Sequence, residues 1–116
     1  MSRSILEYFH HILTELQYIK SSSANITLEK FLIDETLKRA FARSLEIIGE
    51  AVKAVPAEAR QKNPQIEWKA MAGMRDKLIH HYFGVDYELV WDIVENQVEE
   101  LIFQFKTAIK EIEEGN

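Results

Sequence analysis

Ile5-Leu6-Glu7-Tyr8-Phe9-His10-His11-Ile12-Leu13-Thr14-Glu15-Leu16-Gln17-Tyr18-Ile19 sets Ile5, Phe9, Ile12, Leu13, Leu16 and Ile19 at steps of three and four. Each residue of an α-helix turns by about 100°, so this spacing gathers them on one face. A helix therefore opens the chain. Ser4-Ile5-Leu6-Glu7 has the form of a capping box, in which hydroxyl and carboxylate take up the free amides of a first turn. Ser21-Ser22-Ser23-Ala24-Asn25 ends the helix, because short polar side chains compete with its backbone hydrogen bonds.

Beyond this break the same periodicity resumes. Leu28, Phe31 and Leu32 are followed by Leu37, Phe41, Leu45, Ile48, Val52 and Val55, which reads as a short helix and a long one. Asp34-Glu35-Thr36 is the expected junction, since its oxygens suit a new amino-terminal turn. Pro56 and Pro64 bracket a polar connection with room for one helical turn. Ile66 to Phe83 carries Trp68, Met71, Met74, Leu78 and Tyr82 on one stripe and is expected to be a single helix stopped by Gly84. Asp86 is placed to cap a further helix through Leu89, Val90, Ile93 and Val94, with a bend at Glu95-Asn96-Gln97. The pattern then runs through Val98, Leu101, Ile102, Phe105, Ala108, Ile109 and Ile112 to Gly115. No alternating strand pattern and no repeat interrupts it. The expected fold is all-α, an up-and-down antiparallel helical bundle, with residues 1–116 as one domain.

At 116 residues the chain can bury roughly two-thirds of its unfolded surface, enough to fold without disulfide or metal. It contains no cysteine, which rules out disulfides and thiolate chemistry. No leader and no apolar run of membrane-spanning length is read in it, so a cytoplasmic protein is expected. The net charge of -5 argues against a nonspecific nucleic-acid binder, which relies on a basic face. Any RNA contact has to be local. Basic residues gather at Lys69, Arg75 and Lys77, and again at Lys38, Arg39 and Arg43, although helix surfaces ordinarily carry such charges.

Arg75-Asp76-Lys77-Leu78-Ile79-His80-His81-Tyr82 stands out from this background. A guanidinium holds phosphate oxygens through paired hydrogen bonds, and an imidazole exchanges protons near neutral pH. On a continuous helix Asp76 would face His80 as an i,i+4 neighbour and could orient it. Arg75 and His80 would diverge by about 140°, which favours a site completed by a second chain. The same residues also have a plain reading as a surface pair, an apolar-covering arginine and a packing tyrosine. Neighbouring His80 and His81 diverge on a helix and have no clear third ligand, so no metal or other cofactor is expected.

Arg75, four intervening residues, His80, one residue and Tyr82 resemble the motif of HepT-like HEPN proteins. Asp76 fits the polar residue that follows the arginine there. Ile66-Glu67-Trp68-Lys69-Ala70-Met71-Ala72-Gly73-Met74 and Phe83-Gly84-Val85-Asp86 are similar to the family as well, so the resemblance covers essentially the whole chain. It implies a homodimeric HEPN-like bundle that joins two Arg-His motifs in one cleft and cuts RNA without a metal. It further implies a toxin of a type II or type VII-like toxin–antitoxin pair acting on cellular RNA, with transfer RNA one target class. Its partner would be an MNT-type nucleotidyltransferase that AMPylates the motif tyrosine, here Tyr82. The added phosphate would place charge and bulk beside Arg75. A noncatalytic helical module that binds the nucleotidyltransferase is the competing reading, suggested by surface acids such as Glu99, Glu100, Glu111 and Glu113.

Overall fold

The computed structural model describes residues 2–80 and 84–115. Helix α1, Ser2–Ser22, lies between α3, Glu35–Ala54, and α8, Val98–Gly115. The order in between is α2, Leu28–Ile33, before α3, then α4, Ala57–Gln61, α5, Trp68–Ala72, α6, Met74–Leu78, and α7, Tyr87–Asn96. The fold is all-α, as the periodicity requires. Its only strands among the described residues are β1, Ile79–His80, and β2, Gly84–Val85, which form a two-stranded antiparallel ribbon. No described helix is long and apolar enough to cross a membrane.

Phe9, Ile12, Leu16 and Ile19 are fully buried, so the stripe that opens the chain is the face that meets the core. Burial of apolar surface is the main favourable contribution to folding. Phe9 of α1, Trp68 of α5 and Phe105 of α8 meet as a ring cluster with centroids 5.4 to 5.9 Å apart, two of the three contacts edge-on. In a second cluster Phe31 stacks on Phe41 and meets Trp91 at a tilt, tying α2 to α3 and α7. Exposed pairs of Lys20 with Glu99 and His10 with Glu113 show α1 and α8 running antiparallel. Such solvated pairs add little energy.

The expected junctions form with the expected chemistry. Asp34 Oδ1 accepts from the Leu37 amide at 2.9 Å, separating α2 from α3, and Asp86 Oδ1 accepts from the Leu89 amide at 3.1 Å to open α7. Asn25 adopts φ 63°, the left-handed conformation that asparagine tolerates, and turns the chain after α1. Arg60 closes the far end of α3, donating through Nη2 to the Val52 carbonyl at 2.8 Å and through Nε to the Val55 carbonyl at 3.2 Å. A helix end leaves its last carbonyls without their usual i+4 amides, and Val52 also accepts from the Val55 amide at 3.1 Å. Lys38 donates to Glu35 and lies beside it as a cation, which together hold that carboxyl below its usual range. A depressed carboxylate favours the fold above its unfolded pKa and loses that contribution as pH falls through the folded one.

Two expectations change. Ser4 is not a cap, because α1 already runs from Ser2 and places Ser4 inside the helix. The single helix from Ile66 to Phe83 is instead two five-residue helices divided at Gly73, and the second stops at Leu78. Gly73 has φ -88° and ψ 4°, off the helical values, which offsets α6 from α5. After Leu78 the backbone becomes extended, and the Asp86 amide donates to the Leu78 carbonyl at 2.7 Å.

Candidate active site

The described residues of the motif stand on α6 and just beyond its end. Arg75 and Asp76 sit on this short helix with exposed side chains, followed by exposed Lys77, while Met74 and Leu78 anchor it in the core. His80 lies in β1, its backbone paired opposite Gly84. The side chain of His80, and Tyr82 altogether, lie outside the described residues. The end of the helix at Leu78 corrects the rotational relation expected for Asp76 and His80 on one continuous helix. Asp76 and His80 are not i,i+4 neighbours on a helix face, because extended backbone has replaced the last helical turn.

Gly84 adopts φ +73°. It is left-handed as expected of a helix stop, but it serves the ribbon instead. No heavy atom of the described residues lies within 4 Å of a Cβ built there, so among them substitution meets backbone strain rather than a clash. Gly84→Ala is expected to destabilise the protein by about 1–2 kcal/mol. Urea unfolding measures this, and an unchanged midpoint would show that the ribbon does not require the left-handed turn.

Arg75 is held from a distance in sequence. Its Nε donates to Oε2 of Glu46, on α3, at 3.1 Å, and Oε1 of the same carboxylate lies 3.9 Å from Nη1 of Arg43. The basic clusters around Arg43 and around Arg75 thus meet at one acid. Glu46 was not among the expected site residues. A groove of about 320 Å³ between α5–α6 and α7–α8 reaches Lys77 but is not lined by Arg75 or Asp76. Arg75 and Asp76 expose their side chains outside this groove. That exposure can present the Arg75 guanidinium to a phosphate.

A family model for ribonuclease HepT-like proteins matches residues 12–108, and the chain belongs to this HepT-like ribonuclease family. A provisionally named RNase of Caldanaerobacter subterraneus subsp. tengcongensis is 48% identical over 89% of this chain and 92% of its own. Another from Methanocaldococcus jannaschii is 44% identical over 96% of this chain and 92% of its own. A Thermococcus cleftensis protein named "Probable ribonuclease HepT" is 41% identical, covering 95% of this chain and all of its own. No solved structure matches the chain.

Proposed function

We propose that the chain is a metal-independent endoribonuclease, the toxin of a toxin–antitoxin pair, which cuts cellular RNA, transfer RNA among its targets. The observation that carries this reading is the half-exposed side chain of Arg75, five residues before His80, in a chain of the HepT-like family. The whole chain acts as one domain and works as a cytoplasmic homodimer. Two copies join their motifs in one cleft, which brings two imidazoles together. One His80 takes the proton of the ribose 2′-hydroxyl as its oxygen attacks phosphorus, and the other gives a proton to the leaving 5′-oxygen. Arg75 holds the charge that builds on the phosphate oxygens between these events. Asp76, exposed beside Arg75, orients an imidazole of its own or of the second copy.

Expression of the chain alone, beside Arg75→Ala and His80→Ala, tests the reading directly. Growth arrest with RNA loss is expected only for the unaltered chain. Equal growth and equal RNA integrity in all three would leave the noncatalytic module, which binds the nucleotidyltransferase without cutting RNA.

The antitoxin of this proposal is an MNT-type nucleotidyltransferase. The Tyr82 phenol oxygen attacks the α-phosphate of ATP, a phosphodiester to AMP forms, and pyrophosphate leaves. The product is a phosphoprotein whose motif carries an added negative charge that repels RNA. Other tyrosines have packing roles: Tyr87 lies under Lys38, with Nζ 4.8 Å from the ring centre, and Tyr18 meets Phe41 edge-on. Mass spectrometry after incubation with partner and ATP is expected to place AMP on the Tyr82 peptide. AMP on Tyr87 or Tyr18 instead would refute the assignment.

A further inference from the structure

Glu46 occupies a position that the reaction outlined above leaves unexplained. Its side chain is 28% exposed, against 70% for Arg43 and 53% for Arg75, so it is the most sheltered member of the trio. One helical turn further along α3, Gly49 lies against the last turn of α5. A Cβ at Gly49 would stand 3.3 Å from the Met71 carbonyl oxygen and 3.9 Å from that of Ala72. The missing side chain lets α3 and α5 approach closely. Because α6 begins just after Gly73, this approach fixes where Arg75 emerges beside Glu46.

We infer that Glu46 is the positioning residue for Arg75, accepting its Nε–H so that the terminal nitrogens of the guanidinium face the scissile phosphate. This rests on the ribonuclease reading proposed above. An unpinned arginine has to give up the freedom of its long side chain when it meets a phosphate; one already bonded at Nε has given up much of it. No described residue accepts a hydrogen bond from the terminal nitrogens of Arg75, which leaves the phosphate-binding edge available. The opposite role, a carboxylate competing with phosphate for Arg75, is weakened by Arg43. Two guanidinium groups flank one carboxylate, a net single positive charge, so the trio attracts an anion.

The test uses full-length protein and unfractionated transfer RNA, comparing the unaltered chain with Glu46→Ala, Glu46→Gln, Arg75→Ala and the Glu46→Ala/Arg75→Ala double variant. Glu46→Ala is expected to lower kcat by about tenfold while KM changes less than about twofold, because misplacing a transition-state group costs rate rather than binding. Glu46→Gln retains most of the rate, since its amide oxygen still accepts the Nε–H. The double variant is no slower than Arg75→Ala alone, because Glu46 acts through Arg75. Independently of catalysis, the Nε–H resonance of Arg75, identified by its loss in Arg75→Ala, is expected to move towards that of solvated arginines in Glu46→Ala but not in Glu46→Gln. Glu46→Ala at or above the unaltered rate, Glu46→Gln as impaired as Glu46→Ala, a slower double variant, or a resonance indifferent to Glu46 would each overturn the inference. If the unaltered chain cuts no RNA, or Arg75→Ala cuts as well as it does, the ribonuclease reading itself fails and the positioning role falls with it. The resonance then still reports whether Glu46 holds Arg75.

Discussion

Arg75→Ala is expected to slow RNA cleavage by about 10²- to 10³-fold without lowering the melting temperature, the size of effect seen when one preorganised donor to a developing negative charge is removed. The separation of the two effects follows from the location of Arg75. Its side chain is half-exposed and its bond to Glu46 lies at the surface, where ion pairs contribute about 0–1 kcal/mol. The core under it, Met74 and Leu78, is untouched by the change. Arg75→Lys is expected to recover only part of the rate, because an ammonium supplies the charge without the planar fork that meets two phosphate oxygens together. The appearance of 2′,3′-cyclic phosphate ends on a defined RNA measures the rate. Equal rates for Arg75→Ala and the unaltered chain would remove Arg75 from the reaction.

Phe9→Ala is expected to be the most damaging single change to the fold, at about 3–5 kcal/mol. Phe9 is fully buried and joins three helices through its contacts with Trp68 and Phe105. Small domains hold together by only about 5–15 kcal/mol, so the variant would stand near the edge of folding. Loss of Phe9 also loosens Trp68, the first residue of α5, whose indole Nε1 donates to the Asn63 carbonyl at 2.9 Å. Because α5 leads to α6, activity should fall at temperatures where the unaltered chain is fully folded. Urea unfolding followed by tryptophan fluorescence checks the magnitude; a cost below about 1 kcal/mol would mean that the cluster closes over the gap.

The helical plan was legible because most elements carry two agreeing signals, an apolar face and a polar start or stop. Asp34 and Asp86 each stood just before such a face, and both cap the helix that follows. The stretch around the motif carried one signal only. Trp68, Met71, Met74 and Leu78 are all buried, and that stripe does not distinguish one helix from two short ones divided at Gly73. The ribbon was invisible for a different reason: two residues per strand are too few to show alternation. It is joined instead to the core chain by the bond from Asp86 to Leu78. Arg75 and Asp76 were named from their types and spacing, whereas Glu46 lies on another helix and reaches the site only through packing. The sequence held one hint of it. Gly49, inside a strong helical pattern, marks a place where another backbone comes close.

The placement of α1 between α3 and α8 also sets an order on the birth of the protein. Phe9 meets Phe105, yet a ribosome adding about 5–20 residues per second reaches Phe105 only some seconds after Phe9. Within that interval α3 becomes available to α1 but α8 does not, and the face that carries Phe9 is left for water, a chaperone or another nascent chain. A nascent chain still short of α8 is therefore unfinished as a structure, and a delay separates the beginning of its synthesis from its folding.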